Sequence, residues 1–393
     1  MKKLLIVLAV ILGIAAAGIG FLSYANRPLS LAAGNTAIED YLKKTLDENG
    51  SLSSLLLTIH SPKTGYHQQF AVGTKSHSDT KPATIASRYH SASIGKTFCA
   101  TIFGLLTEEG ALTYEDPINT WLDEEILKGL FVVDGADYSN QVTIRHLLSH
   151  TSGAGDYFED PVDSGRTFLE EIVHDPDRTY TPEALIAFTR DRQMPAGRPG
   201  QQFHYSDTGY ILLGLILESI EGKPYAEILE ERIFEPLGMR DSDLMFFGGQ
   251  DKEMLGVYID GIDFSSKKAL SMDWSGGGIV TTMDDLLKFM TALETGELLL
   301  EDTYEQMKDF RHAYDKGITY GMGMMCFDFS ELSVLLGSMS DMYGGVGATG
   351  TYMLYDQESD TYFIANYGAL GFSQKSIEDL IDLRMLYDRI LQQ

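Results

Sequence analysis

The sequence predicts an α+β fold in which an antiparallel sheet is flanked by helices, with an inserted, mainly helical lobe. Strand-like runs occur towards both ends of the chain, and the residues between them follow helical periodicity. Strands from the two ends of a chain pair most economically in one sheet, which leaves the intervening helices as a separate lobe. The 44% of hydrophobic residues and the 22% of charged residues are typical of a folded globular protein.

Residues 1–28 have the features of a membrane anchor or a signal segment. Two lysines precede an uncharged, mostly apolar run at 4–22, and a helix of that length spans a bilayer. Small residues at 23–25 also provide a cleavage site, so an anchor in the membrane and a cleaved signal both stay open. Because the lysines come before the run, the acidic domain at 29–393 is expected outside the cytoplasm, membrane-anchored or secreted.

The first elements after this segment are a helix and a hairpin. Apolar residues recur on one helical face before Asn49, which ends the helix. Two strand-like runs, 52–60 and 66–72, follow and are joined by a turn that contains proline and glycine. The run 93–109 is apolar on one side at helical spacing, which predicts a buried helix.

The middle of the chain is mainly helical, and its last part returns to strands. Helical patterns occur at 210–221, 225–234 and 283–293. A strand is predicted at 319–329, and the runs 351–355 and 361–366 flank a polar turn, which predicts a second hairpin. A final amphipathic helix follows.

Charge and cysteine content exclude several classes of function. The formal net charge is −27, and a chain this acidic repels nucleic acid and anionic lipid, so no nucleic-acid partner is expected. The two cysteines, Cys99 and Cys326, are too few for a disulfide framework or a thiolate metal site. We therefore expect no metal and no organic cofactor.

The strongest chemical signal is the tetrapeptide Ser93-Ile94-Gly95-Lys96. At a helix start, this spacing places the serine and the lysine on the same face, one turn apart. A serine hydroxyl is a poor nucleophile until a base takes its proton, and burial favours the neutral lysine that can do so. The backbone N–H of Ser93 is placed to form half of an oxyanion hole. On the tetrapeptide alone, a capped helix with a snorkelling lysine is the better interpretation.

Two further blocks fit the same chemistry. Tyr205 lies in the turn before an apolar helix, where a phenol can shuttle protons between serine, lysine and leaving group. The glycine-rich block at 344–350 precedes a strand, and such glycines let a substrate lie close to the strand. These glycines also match a dinucleotide fingerprint, but that fingerprint requires a following helix, so nucleotide binding is not predicted.

From about residue 35 onwards, the chain resembles the serine β-lactamase and DD-peptidase superfamily. The closest branch is the class C β-lactamase-related group, which also contains esterases and D-amino-acid peptidases. The resemblance is carried by Ser93-Ile94-Gly95-Lys96, Tyr205-Ser206-Asp207, the glycine-rich block and the segments 143–153 and 277–282. It implies a β-lactamase/transpeptidase-like fold, an acyl-enzyme on Ser93, and Lys96 and Tyr205 as the acid/base pair.

Two positions depart from the family pattern. Asp207 stands where the family has asparagine, and a carboxylate cannot donate a hydrogen bond and holds Lys96 protonated more firmly. The third motif, which begins with lysine or histidine in the family, is the triplet 345–347 here and lacks a cation for a substrate carboxylate. With this alignment, the second oxyanion N–H belongs to Ala348. The substrate-binding residues implied by the resemblance are Asp207, Gly345, Gly347 and Ala348.

The sequence therefore predicts an extracytoplasmic serine hydrolase that acts on a small ester, amide or peptide, cell-wall fragments included. The membrane is a partner only through the N-terminal segment. Two alternatives stay open. One is a catalytically reduced, penicillin-binding-like protein that binds a ligand or a partner, because a fold does not guarantee activity. The other is a DD-carboxypeptidase acting on cell-wall peptides.

Overall fold

A computed structural model of the chain describes residues 27–247 and 253–392. Its helices are α1 Leu31–Glu48, α2 Gly95–Glu108, α3 Glu124–Leu127, α4 Ile144–Leu148, α5 Phe168–His174, α6 Pro182–Arg192, α7 Asp207–Glu221, α8 Tyr225–Leu229, α9 Glu235–Leu237, α10 Trp274–Gly277, α11 Met283–Glu294, α12 Glu301–Met307, α13 Phe329–Leu332 and α14 Ser373–Leu391. Its strands are β1 Ser54–Ser61, β2 Tyr66–Gly73, β3 Tyr89–His90, β4 Val132–Val133, β5 Ala136–Asp137, β6 Asp243–Leu244, β7 Tyr258–Ile259, β8 Ile262–Asp263, β9 Ile279–Thr281, β10 His312–Asp315, β11 Ile318–Tyr320, β12 Met325–Phe327, β13 Met342–Val346, β14 Tyr352–Asp356 and β15 Thr361–Asn366.

The predicted anchor or signal run at 4–22 lies outside the described residues. Among the helices at 27–247 and 253–392, none combines the length and the apolar character that crossing a membrane requires.

The main sheet has eight antiparallel strands in the order β10-β11-β12-β13-β14-β15-β1-β2. Both predicted hairpins are present, as β1–β2 and β14–β15. The first hairpin pairs with the second through β1 and β15, where Thr58 lies opposite Ile364. The prediction of a single antiparallel sheet built from strands of both ends of the sequence is therefore confirmed.

The middle of this sheet is covered, and one of its edges is exposed. Strands β14 and β15 are buried along their whole length, whereas β10 at one edge is mostly exposed. Helix α11 packs against β1, β14 and β15, and α2 packs against β13. The prediction of a sheet flanked by helices is confirmed by these contacts.

The inserted lobe is centred on α7, which packs against α4, α6 and α10. Ser206 caps this helix, because its Oγ accepts a hydrogen bond from Gly209 N at 3.2 Å, and Gly222 ends it in a left-handed conformation. Nearly every residue from Thr208 to Leu217 is buried, so α7 is the central helix of the lobe.

Most of α1 and α14 form a separate compact unit. Tyr41 Oη lies 2.5 Å from Asp379 Oδ1 and 2.8 Å from Asp382 Oδ2, and its single proton donates to one of these carboxylates at a time. Close approach of the two helices is required at Gly34, where an added Cβ would lie 2.3 Å from a side-chain atom of Ile390.

Two predicted elements differ from the structure. The strand expected at 319–329 is interrupted, because the chain turns between β11 and β12 and Gly323 there has φ +72°. A Cβ on Gly323 would lie 2.7 Å from the backbone oxygen of Lys96, so the interruption lets the chain pass next to α2. The helix expected at 93–109 begins as a 3₁₀ turn, Ala92–Ile94, before α2.

Candidate active site

The predicted nucleophile Ser93 lies in a strained turn between β3 and α2. Ala92, one residue earlier, has φ 48°, which is a left-handed conformation uncommon for a residue with a Cβ. Its N–H donates a 3.2 Å hydrogen bond to Nδ1 of the buried His90. Packing and this hydrogen bond hold the turn, so the position of the Ser93 side chain is set by the surrounding fold.

Three side chains that are far apart in the sequence converge on one oxygen atom. Ser93 Oγ lies 3.2 Å from Lys96 Nζ and 3.0 Å from Tyr205 Oη. Both distances are within hydrogen-bond range. The structure therefore brings together all three residues that the sequence assigned to acid/base and nucleophilic chemistry.

The side chain of Lys96 is buried, with 1% of its surface exposed, and its ammonium group has three hydrogen-bond acceptors. It donates to Ser93 Oγ, to Asp207 Oδ1 and, at 2.9 Å, to the backbone oxygen of Gly276. Burial by itself lowers the pKa of Lys96, but the charge of Asp207 and its hydrogen bond outweigh burial and raise that pKa. The lysine is therefore an ammonium ion at neutral pH, as expected from the aspartate in the second motif.

Further carboxyl groups lie around this pair, and the sequence analysis missed them. Asp156 is buried and accepts a 2.9 Å hydrogen bond from Asp207 N. Burial, followed by the charge of Asp207, raises the pKa of Asp156. The same two causes raise the pKa of Asp273 to about 7, although Lys96 acts in the opposite direction. No motif marks either residue, because each reaches the site through a loop whose path depends on the tertiary fold.

His150 packs against the ring of Tyr205. Its ring centroid lies 4.2 Å from that of Tyr205, and its Nδ1 accepts a 3.0 Å hydrogen bond from Ser206 N. Because Nδ1 is an acceptor and burial lowers the pKa of His150, the neutral ring carries its proton on Nε2 and donates to Tyr320 Oη at 3.1 Å. These contacts indicate that His150 orients Tyr205.

Tyr205 itself is protonated. Burial, followed by the charge of Asp207, raises its pKa well above that of a free phenol. In this state its hydroxyl donates to Ser93 Oγ.

The glycine-rich block divides into two parts. Gly345 faces α2, since an added Cβ would lie 2.9 Å from Thr97 Oγ1, and its observed contribution is close packing. Gly347 lies beside the nucleophile, where an added Cβ would be 3.3 Å from Ser93 N. Within the described part of the chain, neither Ser93 N nor Ala348 N donates to a backbone or side-chain acceptor. Both N–H groups are therefore free for an oxyanion, as the resemblance implies for Ser93 and Ala348.

We searched the described ranges for a metal site as well. They contain no group of three or more His, Cys, Asp or Glu side chains arranged to hold a metal ion. His146 and His150, which have metal-like spacing, are instead engaged by backbone N–H groups of Thr143 and Ser206.

Gly277 is expected to be intolerant of a side chain. An added Cβ would lie 2.9 Å from the backbone carbon and oxygen of Ala92 and 3.4 Å from Ser93 N. Crowding of this kind costs about 1–3 kcal/mol, and a displacement of about 1 Å at a reacting group costs about 100-fold in rate. We expect Gly277→Ala to lower the free energy of unfolding by about 1–3 kcal/mol and to reduce kcat/KM about 10- to 100-fold.

Gly209→Ala is the matched control, because a Cβ there would meet nothing closer than 3.7 Å. It is expected to be neutral or stabilising by up to about 1 kcal/mol, since alanine favours a helix. Urea unfolding and activity assays of both variants test this. Wild-type stability and rate in Gly277→Ala would show that the turn tolerates displacement.

Comparisons with known proteins identify the family of this chain. A family model described as Beta-lactamase matches residues 38–381. Penicillin-binding protein 4* of Bacillus subtilis (strain 168) is 32% identical over 204 residues, which are 51% of this chain and 40% of that protein. The chain thus spans less than half of that relative's length.

Two solved structures share the fold. One is a D-stereospecific amidohydrolase from Streptomyces sp., with a TM-score of 0.73 and 24% identity, over 87% of this chain and 97% of that chain. The other is the D-amino acid amidase from Ochrobactrum anthropi SV3, with a TM-score of 0.71 and 23% identity, over 88% of this chain and 99% of that chain. The predicted fold class and the predicted resemblance are confirmed, and the chain belongs to the β-lactamase family.

Proposed function

We propose that this chain is a serine hydrolase that forms an acyl-enzyme on Ser93 and releases the acyl group to water. The observation that carries the proposal is the position of Ser93 Oγ, within 3.2 Å of Lys96 Nζ and 3.0 Å of Tyr205 Oη. A nucleophile with two proton-handling groups in hydrogen-bond reach, beside free backbone N–H groups, fits acyl transfer. Shared fold with an amidohydrolase and an amidase supports this reaction class.

In the proposed reaction, Ser93 Oγ attacks the substrate carbonyl carbon as the proton of its hydroxyl moves towards Lys96. The N–H groups of Ser93 and Ala348 stabilise the negative charge that develops on the carbonyl oxygen. Tyr205, protonated in the free site, is placed to donate a proton to the leaving group. Attack by water on the ester then regenerates Ser93.

We propose a small ester or an uncharged amide as the substrate. The triplet 345–347 supplies no cation, and the charge of Lys96 is already paired with Asp207. A substrate carboxylate in this cleft would therefore lack an ion-pair partner. This disfavours the DD-carboxypeptidase alternative.

Labelling of the intact protein with a fluorophosphonate tests the acyl-enzyme. Such a probe reacts with activated serines, so we expect one adduct per chain, and none after heat denaturation. Trypsin releases residues 89–96 as one peptide, and fragmentation separates Ser91 from Ser93 within it. An adduct on Ser93 supports the hydrolase. Absence of labelling in folded protein would favour the alternative, a penicillin-binding-like protein that binds a ligand or partner without catalysis.

A matched pair of substrates tests the class of substrate. The two share an N-acetyl-D-alanyl acyl group and differ only in the leaving group, which is D-alanine in one and D-alanine amide in the other. We expect the uncharged amide to be cleaved faster. Faster release of free D-alanine would instead identify a DD-carboxypeptidase acting on cell-wall peptides.

We also propose an extracytoplasmic location. Its support is the lysine-flanked apolar run at 4–22, which precedes an acidic domain. Protease treatment of intact cells that produce the full chain should digest an anchored domain, and a cleaved signal should release the domain to the medium. Retention of protected protein inside the cells would contradict this location.

A further inference from the structure

As an ammonium ion, Lys96 has no lone pair with which to accept the serine proton. An ammonium group has three N–H bonds, and Lys96 directs them to three acceptors: Ser93 Oγ, Asp207 Oδ1 and Gly276 O. Tyr205 also donates to Ser93 Oγ. The nucleophile is thus surrounded by donors, and a proton leaving Ser93 requires an acceptor beyond Lys96.

We propose that Asp207 is the final acceptor of the serine proton, which reaches it through Lys96. This rests on the proposed role of Ser93 as nucleophile. As the Ser93 O–H bond breaks, its proton passes to Lys96 Nζ, and Lys96 gives one of its own protons to Asp207 Oδ1. Oγ bonds to the carbonyl carbon, and the carbonyl π pair moves to the oxygen.

The proton returns when the tetrahedral intermediate collapses. The carbon–leaving-group bond breaks, Lys96 or Tyr205 donates a proton to the leaving group, and the donor is replenished from Asp207. The charge of the site before and after acylation is then the same. An asparagine at 207 cannot take part, because an amide does not accept a proton at neutral pH.

The surroundings of Asp207 favour this transfer. Its negative charge raises the pKa of Asp156 and of Asp273, so Asp207 opposes the ionisation of these two carboxyl groups. A proton on Asp207 removes that repulsion. The short path also favours proton transfer to Asp207, since Lys96 Nζ contacts both Ser93 Oγ and Asp207 Oδ1.

Several other titratable groups face this pair and are unchanged in Asp207→Asn. They come from the loop after α4, the turn before α7, the turn before α10, and strands β10 and β11. These groups are His150, Asp156, Glu159, Tyr205, Asp273, Tyr314 and Tyr320.

The competing mechanism uses a neutral Lys96 as the base, and it predicts a different pH profile. Because Asp207 raises the pKa of Lys96, that mechanism makes kcat/KM rise about tenfold per pH unit from pH 7 to 10. With Asp207 as the acceptor, the reaction does not require a neutral Lys96, and kcat/KM should change less than about twofold between pH 8 and 9.5. Asp273, with a pKa of about 7, adds a smaller feature near neutral pH.

Asp207→Asn distinguishes the two mechanisms, because they predict shifts of the acid limb of the kcat/KM profile in opposite directions. With the acceptor removed, only neutral Lys96 can take the proton. Our proposal therefore predicts an acid limb at least about one pH unit higher than in the wild type, and a loss of at least about tenfold at pH 6. A neutral-lysine base predicts the opposite shift, to lower pH, because the group that raises the pKa of Lys96 is gone.

Glu159→Gln is the charge-matched control, since Glu159 lies near the site without contacting Lys96. Glu159→Gln should shift the acid limb of the kcat/KM profile by less than about half a pH unit. Profiles are measured with a neutral ester, after subtraction of Ser93→Ala blanks, on variants whose thermal unfolding matches the wild type. A limb that is unmoved or lowered in Asp207→Asn overturns the proposal. Undiminished turnover in the Ser93→Ala blank would instead overturn the proposed function, irrespective of Asp207.

Discussion

Replacing Ser93 with alanine is expected to reduce kcat/KM by about four to six orders of magnitude. The side chain supplies the attacking oxygen, and losses of this size accompany removal of a serine nucleophile. The free N–H groups of Ser93 and Ala348 remain in the variant, so a small residual rate from binding and oxyanion stabilisation is consistent with the mechanism. Initial rates with an activated ester measure the change.

Ser91→Ala is the matched control for this change. Ser91 is buried in the same turn, but its Oγ makes only long contacts, 3.4 Å to Ala92 O and 3.5 Å to Gly277 O. We expect its activity to stay within about tenfold of the wild type, because weak hydrogen bonds contribute about 1 kcal/mol or less. If Ser93→Ala kept more than a tenth of the wild-type rate, another nucleophile would be at work.

Replacing Lys96 with alanine should lower kcat/KM by about 10²- to 10⁴-fold, which is the range for loss of a general acid/base. Without Nζ, no proton path joins Ser93 to Asp207, and the carboxylate loses its cation. The rate of fluorophosphonate labelling should fall by a similar factor, since both reactions require the activated oxygen. Stopped assays of turnover and of labelling measure the two effects.

Lys288→Ala is the control for loss of a lysine that pairs with a buried aspartate, although the Lys288 side chain is 45% exposed and that of Lys96 is 1% exposed. Lys288 also binds a buried aspartate and a backbone carbonyl, at 2.7 Å to Asp285 Oδ1 and 2.8 Å to Gly238 O. It lies in α11, away from Ser93, so turnover is expected to be that of the wild type. Equal losses in both variants would assign the effect of Lys96→Ala to stability.

The parts of the fold that could be predicted are those with a local signal. The hairpins at β1–β2 and β14–β15 have apolar strands around polar turns, and both were found within two residues of their predicted limits. The interruption near Gly323 was missed, because its cause is the backbone of Lys96, far away in the sequence. Local periodicity contains no information on such a contact.

The residues of the candidate site likewise divide into those with a local sequence signal and those without one. Ser93, Lys96 and Tyr205 lie in recognisable blocks, and the structure places them together. Gly276 O and Asp156 were missed because a backbone carbonyl has no sequence signal and a single aspartate in a loop has no motif. Such contacts depend on where the loops run once the lobe and the sheet have formed.

Pairing of β1 with β15 has a consequence for synthesis. A ribosome releases β1 long before β15, so the apolar edge of the first hairpin stays unsatisfied until almost the whole domain has emerged. Closing so long a loop is entropically costly and makes the chain slow to fold. Assembly of the nucleophile's surroundings is thus a late event, and nascent chains stalled before residue 361 should require chaperones to stay free of aggregates.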